Sequence, residues 1–412
     1  MIYMENIAIF IADSNGRFPV PATKDGAVPI LVEHLLEKNN VNKKLNMTII
    51  TYYDKEAYKK SKCYDNIKFV WVKIPRVIKM IDKCIYLFVK NIMKKKKTIS
   101  YKTIASLIYY IQYSSIYLKK RKFDKIILEN NIPLAWIIKL SKYKGKYYYH
   151  FHNLPRIDAN CRKVFERCDG YICVSEFVKN NIVSNKSCIG MIKENKVGVL
   201  YNCIDTIKFN NEGLTDTERN KFRQLYNIKK EEKVVIFVGR LSKEKGVDKV
   251  IEALAYVENV HLLIVGSVMH GTTDTDEYQK YLYNLVEKNK KNITFTGYIS
   301  QNVVNKLYKF SDIAILPSVW DEPAGLTMIE AMACGIPLIT CRSGGIPEYV
   351  GDYATLLNKD NSVTRQIVDS LNYTFSHMDE ARVIGEKGSK YVIDRYNLDA
   401  YYSNFVELLS KM

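Results

Sequence analysis

The 412-residue chain lacks the features that mark several specialised classes of protein. Its ten prolines are too few for a proline-rich or collagen-like chain. Its nine cysteines, from Cys63 to Cys341, form no CxxC pair and no Cys/His cluster with zinc-ligand spacing, which indicates free thiols in a reducing cytoplasm. The N-terminal segment MIYMENIAIFIADSN has no basic region of a signal peptide and predicts a first β-strand instead.

Motifs for several other nucleotide-dependent reactions are missing as well. No GxGxxG follows a predicted strand, which argues against a dinucleotide-dependent oxidoreductase. No GxxxxGK[ST] is present, which argues against P-loop phosphoryl transfer. The 31 tyrosines come without an RNA-binding signature, and no repeat of 20 to 50 residues is visible.

What is present is a globular composition, with 47% hydrophobic and 26% charged residues, long enough for two domains with real cores. Short apolar runs alternate with helical patterns such as AVPILVEHLLEKN (27–39). The predicted strands are 6–12, 47–53, 67–73, 125–130, 146–152, 170–175, 197–202, 234–240, 261–267, 293–298, 313–319, 336–342 and 354–358.

This alternation predicts an α/β fold of two doubly wound, Rossmann-like domains that face each other across a cleft. Continuous apolar runs are typical of buried parallel strands, and strand–helix alternation is typical of βαβ units. The predicted N-terminal domain spans 1–205 and binds the acceptor, and the C-terminal domain spans 206–395. The polar stretch 205–233 is interpreted as their connection, with a short helix in TDTERNKFRQLYN. The C-terminal helix, 396–412, is predicted to pack back on the N-terminal domain.

The charge is unevenly distributed: 62 Lys or Arg against 44 Asp or Glu give a net charge of +18. Between Lys73 and Lys125 there are fifteen basic and two acidic residues, a net charge of +13. The apolar and cationic composition of 76–122 predicts amphipathic helices that dock on an anionic membrane, with Lys94–Lys97 and Lys119–Lys122 as basic clusters. The alternative is a solvated helical face. The uncharged run Thr103–Leu118 is too short to span a bilayer.

The strongest candidate site lies in the second half of the chain. Arg240 and Lys245 follow a predicted strand, where two cations can hold a diphosphate, although alone they could be solvated loop residues. In SVWDEPAGLTMIEAMACGIPLI, Glu322 and Glu330 are eight residues apart. Gly325 stands where a helix must begin, so that backbone can approach a ligand there.

The amides of Leu326 and Thr327 at that helix start can bind an anion. Glu330 can accept hydrogen bonds from sugar hydroxyls. The alternative for Glu330 is a carboxylate on a helix surface, but the apolar neighbours in MIEAMA indicate a buried helix.

Together, GRLxxEKG, E-x7-E and PLIxxxxGGxPE resemble the family 4 glycosyltransferases, closely over about 195–395 and more loosely before that. The resemblance implies a retaining, metal-independent enzyme of the GT-B fold that uses a nucleotide diphosphate sugar, with UDP-sugars favoured. It implies that Arg240 and Lys245 neutralise the donor diphosphate, that Glu322 lies against the transferred sugar and that Glu330 binds the ribose.

The same resemblance assigns the backbone turn at Gly325, Leu326 and Thr327 to the phosphate and sugar. It places Gly297 and Tyr298 beside the nucleobase. His152 is similar to a histidine that lines the sugar site, with His150 as the rival, and Gly26 to a glycine of the loop before the first helix. Cys203 stands where the family usually has glycine. The implied catalytic residues are Glu322, Arg240, Lys245 and His152.

The sequence therefore predicts a hexosyl-type glycosyltransferase that serves a glycan or lipid-linked acceptor in cell-surface polysaccharide or glycolipid synthesis. It is expected in the cytoplasm, on the inner face of the cell membrane, without a metal, cofactor or nucleic-acid partner. The alternatives are an epimerase or phosphorylase of the same fold, or a non-enzymatic membrane- or nucleic-acid-binding protein. Asp274-Thr275-Asp276 spells the DxD of a manganese site, but helix capping explains it better.

Overall fold

A computed structural model describes residues 4–23, 26–93, 101–184, 186–267, 277–289 and 292–412. Contacts divide the chain into two compact units between Leu200 and Tyr201, and again between Ala400 and Tyr401. Unit 1 contains the N-terminal half and the last twelve residues, and unit 2 contains residues from 201 to 400. Both boundaries lie five residues from the predicted ones.

Unit 1 is a parallel sheet of seven strands with helices in the connections. Its strands are β1 Asn6–Phe10, β2 Asn46–Tyr52, β3 Ile67–Val72, β4 Lys125–Glu129, β5 Tyr147–Phe151, β6 Gly170–Cys173 and β7 Val197–Val199. Its helices are α1 Ala27–Asn42, α2 Lys55–Lys60, α3 Arg76–Leu87, α4 Ile104–Lys119, α5 Ala135–Ser141, α6 Arg162–Arg167 and α7 Glu176–Val183.

The strand order of unit 1 is β3-β2-β1-β4-β5-β6-β7, so the direction of winding reverses between β1 and β4. The central strands are buried on both faces, as their continuous apolar sequences predict. Even the tyrosines of β5 are core residues: Tyr147 donates its hydroxyl to the Val164 carbonyl at 2.5 Å, and Tyr149 donates to the Asn131 carbonyl at 2.8 Å.

The last helix of the chain, α16 (Leu398–Lys411), packs its C-terminal part on unit 1. Tyr402 donates to the side-chain oxygen of Asn39 in α1 at 2.6 Å. The buried ammonium group of Lys125 donates to the Leu409 carbonyl and pairs with Glu5. An unused carbonyl at the end of a helix is an attractive partner for a cation, so this contact ties α16 to the start of β4.

Unit 2 has a second parallel sheet, of six strands. These are β8 Lys233–Val238, β9 Val260–Val265, β10 Asn292–Gly297, β11 Ile313–Leu316, β12 Leu338–Cys341 and β13 Thr355–Leu357. Its helices are α8 Asp216–Leu225, α9 Val247–Leu254, α10 Glu277–Asn289, α11 Gln301–Phe310, α12 Leu326–Ala333, α13 Ile346–Val350, α14 Val363–Ser376 and α15 Met378–Arg395.

The strand order of unit 2 is β10-β9-β8-β11-β12-β13. The order reverses between β8 and β11, and this pair therefore forms the topological switch point of the sheet. In open α/β sheets, ligands bind outside the carboxyl ends of the strands at such a point. The two parallel sheets confirm the predicted fold class of two Rossmann-like α/β domains.

The segment 205–233 packs within unit 2. Phe209 and Ile228 are buried in its core, and the Glu218 carboxylate forms an ion pair with the Lys306 ammonium group at 3.0 Å. The predicted helix forms as α8 because Thr215 and Glu218 make a reciprocal capping box. The polar composition of this segment therefore reflects an exposed helix rather than a free linker.

The basic segment 76–122 contains two helices of different character. Helix α4 buries Leu107, Tyr110 and Ile111, and Tyr110 donates to the Ile50 carbonyl at 2.6 Å. Helix α3 buries a charged residue instead, Asp82. None of the described helices has both the length and the hydropathy of a bilayer span. The cluster Lys94–Lys97 lies outside the described residues.

Helix α3 exposes apolar side chains on one side. A turn of π-helix, Phe88–Ile92, extends it. Its exposed apolar side chains are Val77, Met80, Ile81, Leu87, Phe88 and Ile92, and we call this set the α3 apolar face. Arg76, Lys79, Lys83 and Lys90 are exposed on the same segment. The predicted combination of exposed apolar and basic residues is therefore present on α3.

Candidate functional site

The site residues predicted in the second half of the chain gather at the switch point of unit 2. Arg240 and Lys245 lie in the loop that follows β8. Glu322 lies in the loop that follows β11, the neighbour of β8 in the sheet. Because the carboxyl ends of adjacent parallel strands meet at one edge, these two loops are brought into contact.

The loop after β8 is held against the loop after β11 by backbone contacts. The amide of Val319 donates to the Glu244 carbonyl at 2.9 Å. Gly246 has φ +68°, and a Cβ there would overlap the Pro317 carbonyl oxygen. The glycine of the EKG motif is therefore required both by its left-handed backbone and by this close approach.

Glu322 is buried and is the centre of a small polar cluster. It forms an ion pair with Lys245 and accepts a hydrogen bond from the Ser318 hydroxyl at 2.8 Å. Its backbone carbonyl accepts from the Gly345 amide at 2.7 Å. Gly344 has φ +56°, and a Cβ there would overlap the same carbonyl. The GG pair in the sequence thus supports the backbone that presents Glu322.

Arg240 is exposed and forms no ion pair with any described residue, unlike Lys245. The two cations predicted to hold a diphosphate therefore differ in their surroundings. Lys245 is already ordered by a carboxylate, whereas the guanidinium of Arg240 is accessible at the end of β8. An exposed guanidinium can form two parallel hydrogen bonds to a phosphate.

Helix α12 begins at the predicted turn. Gly325 is its N-cap, with φ −111°, so the position does not need a left-handed backbone. A Cβ there would come within 3.3 Å of the Met328 sulfur, which shows how closely the turn is packed. Leu326 and Thr327 are the first two helical residues, and the amides of a first helical turn have no partner within the helix. These amides and the helix dipole favour an anion at this end.

Glu330 lies one turn further along α12 and is buried. Burial raises the pKa of Glu330 to about 8, although the charge of Lys208 acts in the opposite direction. This carboxyl group is therefore mostly protonated at neutral pH. A buried, mostly protonated carboxyl group is one that a polar ligand can stabilise.

The residues predicted beside the nucleobase are at the end of β10. Gly297 ends the strand with φ +71°, and its carbonyl accepts from the Gly266 amide at 3.0 Å. The register of β10 on β9 shifts between Phe295 and Gly297. Tyr298, the next residue, is exposed. Asp274-Thr275-Asp276 lies outside the described residues.

The histidines of unit 1 form a second polar cluster, at the carboxyl ends of β4 and β5. His150 and His152 both contact the carboxylate of Glu129, with Nδ1 of His150 at 3.1 Å and Nε2 of His152 at 3.0 Å from Oε2. The ring centroids are 4.0 Å apart. All three side chains are buried, so the two rival histidines belong to one cluster.

Ionisation in this cluster follows from burial and from the pairing. Burial by itself would raise the pKa of Glu129, but the charge and hydrogen bonds of the two imidazoles outweigh it and lower the pKa to about 2. Burial lowers the pKa of His152 to about 4, with a further lowering from His150, against the opposing effect of Glu129. Glu129 is therefore ionised and His152 neutral at pH 7.

Two other predicted positions in the first half have an ordinary backbone. Gly26 is the N-cap of α1 in an extended conformation, with φ −159°. Cys203 is buried and is not among the described residues with positive φ, so cysteine satisfies the backbone at this position without strain.

Sequence reasoning missed three residues that shape these clusters. Ser318 precedes the candidate glutamate by four residues, and the serine of RSGG, Ser343, donates to the Trp320 carbonyl. Glu129 lies within the predicted strand KIILEN (125–130). A charged residue within an otherwise apolar run was the available signal for Glu129.

Comparison with known proteins finds similarity over the part of unit 2 that contains the first cluster. Residues 218–391 match the family model of glycosyl transferases group 1. Over 190 residues the chain is 34% identical to an uncharacterised glycosyltransferase of Methanocaldococcus jannaschii, covering 45% of each protein. It is 24% identical to the lipopolysaccharide 1,2-N-acetylglucosaminetransferase of Salmonella typhimurium, covering 68% of this chain and 71% of that protein.

Solved structures with low sequence identity share the whole fold. A glycosyltransferase from Rickettsia africae has a TM-score of 0.73 at 20% identity, over 98% of this chain and 97% of that one. The Anabaena protein Alr3699/HepE, solved with UDP-glucose, has a TM-score of 0.71 at 16% identity, over 99% of this chain and 100% of that one. The protein therefore has the GT-B fold, and residues 218–391 in unit 2 match the model of glycosyl transferases group 1.

Proposed function

We propose that this chain, with its glycosyl transferases group 1 domain, is a retaining glycosyltransferase of the hexosyl type that resembles family 4. It transfers a sugar from a nucleotide diphosphate sugar to a glycan or lipid-linked acceptor in cell-surface polysaccharide or glycolipid synthesis. The observation that carries the proposal is the cluster at the switch point of unit 2, where Lys245 and Glu322 pair beside the start of α12. UDP-sugars are the favoured donors, since HepE was solved with UDP-glucose.

The chemistry follows from the charge that develops on the leaving group. When the bond between the anomeric carbon and phosphate breaks, the diphosphate gains negative charge. The cations Arg240 and Lys245, and the amides of Leu326 and Thr327, stabilise this charge more in the transition state than before it. Fixed groups of this kind can take the place of a divalent cation, which is why we propose a metal-independent reaction.

Glu322 and Glu330 have separate roles in this scheme. Glu322 lies against the transferred sugar and orders Lys245 before the donor arrives. Glu330 accepts hydrogen bonds from the ribose, which favours its ionised form and offsets the cost of burying that charge. Gly297 and Tyr298 border the nucleobase, and Gly325 gives the phosphate access to the helix start.

In unit 1, His152 accepts a hydrogen bond from the transferred sugar, and Gly26 lies in the loop near the donor. The acceptor is bound by unit 1, where the sequence resembles the family less closely. The oxocarbenium-like sugar is attacked by an acceptor hydroxyl on the face that the diphosphate leaves, and the leaving phosphate takes the proton.

The experiment that tests this function is the release of UDP from UDP-glucose and other UDP-sugars, with water as a slow acceptor. We expect Arg240→Ala to lower the release at least a hundredfold, because a cation at the leaving group is lost. Lys243, an exposed lysine of the same loop, provides the matched control, and Lys243→Ala should retain the wild-type rate. Equal rates in both variants would refute the assignment.

The same assay separates the alternative functions. An epimerase would convert the donor without releasing nucleotide, and a phosphorylase would require inorganic phosphate. A protein that binds membranes or nucleic acid without catalysis would release nothing. A wild-type protein that binds no nucleotide sugar in a thermal-shift panel would refute a transferase of this class.

We further propose that the protein works in the cytoplasm at the inner face of the cell membrane, docked by the α3 apolar face. An amphipathic helix of this composition inserts its apolar side chains at the headgroup boundary while its cations attract anionic lipids. Arg76, Lys79 and Lys83 supply the cations beside Met80 and Ile81.

Vesicle flotation tests this docking. The double variant Met80→Asp and Ile81→Asp should lose binding to phosphatidylglycerol vesicles about tenfold or more, because two carboxylates replace apolar side chains that insert at the headgroup boundary. Tyr256→Asp is the control, because Tyr256 is an exposed apolar residue of unit 2. If both variants bind as the wild type does, the docking proposal is wrong.

A further inference from the structure

In the buried cluster of Glu129, His150 and His152, two histidines contact one carboxylate. Glu129 is the last residue of β4, and its strand partner is His150 of β5. Its Oε2 lies between Nδ1 of His150 and Nε2 of His152. One carboxylate thus accepts a hydrogen bond from each ring.

The backbone around the cluster is fixed from several sides. The His152 amide donates to the side-chain oxygen of Asn130 at 3.1 Å, and the Asn130 amide donates to the His150 carbonyl at 2.8 Å. Asn131 donates its side-chain amide to the Ala12 carbonyl, beyond the end of β1, at 3.0 Å. Three strand ends are therefore joined, and the carboxylate is held in place before any ligand binds.

The remaining ring nitrogens show which tautomers are present. Nε2 of His150 and Nδ1 of His152 are buried and have no hydrogen-bond partner among the described residues. A carboxylate can only accept, so each ring must place its proton on the nitrogen that faces Glu129. Because His152 is neutral at pH 7, its opposite nitrogen, Nδ1, is an unprotonated acceptor.

The same three residues have the spacing of a metal site, because their ligand atoms all lie within 4.8 Å of one another. A histidine that binds a metal nearly always donates its other N–H to an acceptor. The nitrogens that would have to donate, Nε2 of His150 and Nδ1 of His152, face no acceptor in the described part of the chain. The arrangement therefore favours a carboxylate that receives two N–H groups.

We propose that Glu129 is a positioning residue: it accepts from both imidazoles and fixes His152 in the tautomer that leaves Nδ1 as a pure acceptor for a hydroxyl of the transferred sugar. The hydrogen bond from the sugar hydroxyl to His152 rests on the proposed function. The tautomer of His152 does not depend on that function. The ionised state of Glu129 and the neutral state of His152 at pH 7 agree with it.

Long-range ¹H–¹⁵N spectra of the full-length protein test the tautomer directly, since the chain has only six histidines. At pH 7.5 we expect Nε2 of His152 to be protonated and Nδ1 to be unprotonated, with the resonances assigned through His150→Gln and His152→Gln. A protonated Nδ1, or a doubly protonated ring, overturns the proposal. So does zinc bound in equimolar amount after growth in zinc-supplemented medium and lost in Glu129→Met.

Glu129→Met removes the acceptor at nearly constant length. We expect His152 to populate both tautomers in this variant, and kcat/KM for UDP release from the most rapidly turned-over UDP-sugar to fall about thirtyfold. An unchanged single tautomer in Glu129→Met overturns the proposal, because Glu129 would not determine it. Should the variant fail to fold, the wild-type spectrum still decides.

Glu232→Met is the matched control. Glu232 is also a buried glutamate beside a histidine, His261, with Oε2 and Nδ1 3.6 Å apart. This pair lies at the amino ends of β8 and β9, the opposite edge of its sheet, so stability should fall while kcat/KM stays within twofold of the wild type. If the wild-type protein shows the expected tautomer but releases no nucleotide, the proposed function fails and the tautomer assignment stands.

Discussion

The two units each bury a glutamate in their candidate site, and the two carboxyl groups are in opposite states. Glu129 of unit 1 receives two imidazoles, and its pKa is lowered to about 2. Burial raises the pKa of Glu330 in unit 2 to about 8, against the opposing charge of Lys208. The same residue type is therefore an ionised carboxylate in unit 1 and a mostly protonated carboxyl group in unit 2. Partners, rather than burial alone, decide which state results.

The buried carboxylate of Asp82 extends the comparison, because it has several partners. Asp82 pairs with Arg17 at 2.9 Å and accepts from the Ala105 amide at 2.8 Å, at the start of α4. We expect Asp82→Ala to lower the free energy of unfolding of unit 1 by about 4 kcal/mol, since it leaves a guanidinium and a helix start without their partner.

Hydrogen exchange measured segment by segment, on the intact chain, checks this prediction. Protection should fall in α3 and α4 and remain in α9 and α12. Asp379, an exposed acidic residue of α15, offers a control, and Asp379→Ala should be within about 0.5 kcal/mol of the wild type. Equal protection in α4 of both variants would contradict the structural role of Asp82.

The same substitution should have opposite effects at the two glutamates. Glu129→Gln is expected to destabilise unit 1 by about 2–3 kcal/mol at pH 7, because the ionised form is the one that the imidazoles stabilise. Hydrogen exchange in β4 and β5 measures it. A neutral or stabilising result would show that Glu129 is not ionised in the folded protein.

Glu330→Gln is expected to stabilise unit 2 by about 2 kcal/mol at pH 7, because a neutral side chain avoids the cost of the buried carboxyl. The folded pKa lies above the unfolded one, so this cost is absent below about pH 4.5 and grows as the pH rises toward 8. The gain from the substitution should therefore disappear at pH 4. A gain that is the same at pH 4 and pH 8 would contradict the raised pKa.

The smallest expected effect is a pH dependence of nucleotide binding. If the ribose is bound by the ionised form of Glu330, the affinity for UDP should rise about fivefold between pH 7.0 and 8.5, as the carboxyl group loses its proton. Isothermal titration in two buffers of different ionisation enthalpy would also detect the released proton. Glu330→Gln should bind UDP more weakly and without this pH dependence; a flat profile in the wild type would count against the ribose contact.

The candidate site of unit 2 was predictable from sequence because its residues stand in loops with fixed spacing. Arg240, Lys245 and Glu322 follow strands whose apolar runs are easy to recognise, and Gly246 and Gly344 mark turns with positive φ. Most predicted strands extended past the observed ones at the carboxyl end, as at His152 and Arg240, because the apolar pattern continues into the functional loops. The site assignments themselves stay predictions until the variants are measured.

The site of unit 1 was harder to predict. Glu129 and His150 are within strands, where sequence spacing gives no information about which strand lies alongside. Their contact depends on β4 pairing with β5 in the register that sets Glu129 opposite His150. On α3, the apolar and basic pattern was visible, but the inward position of Asp82 was not.

By itself, the sequence determined the alternation of buried strands and helices, the two parallel sheets that this alternation produces, and the loops in which unit 2 carries its cations and carboxylates. It could do so because hydrophobic periodicity and glycine backbone requirements are local properties of the chain. Only the tertiary structure decided that Lys245 pairs with Glu322, that Glu129 joins two imidazoles, and that Glu330 stays protonated. Ionisation and tautomer depend on which groups lie within a few ångströms of each other, and strand order and register, not sequence distance, set those neighbours.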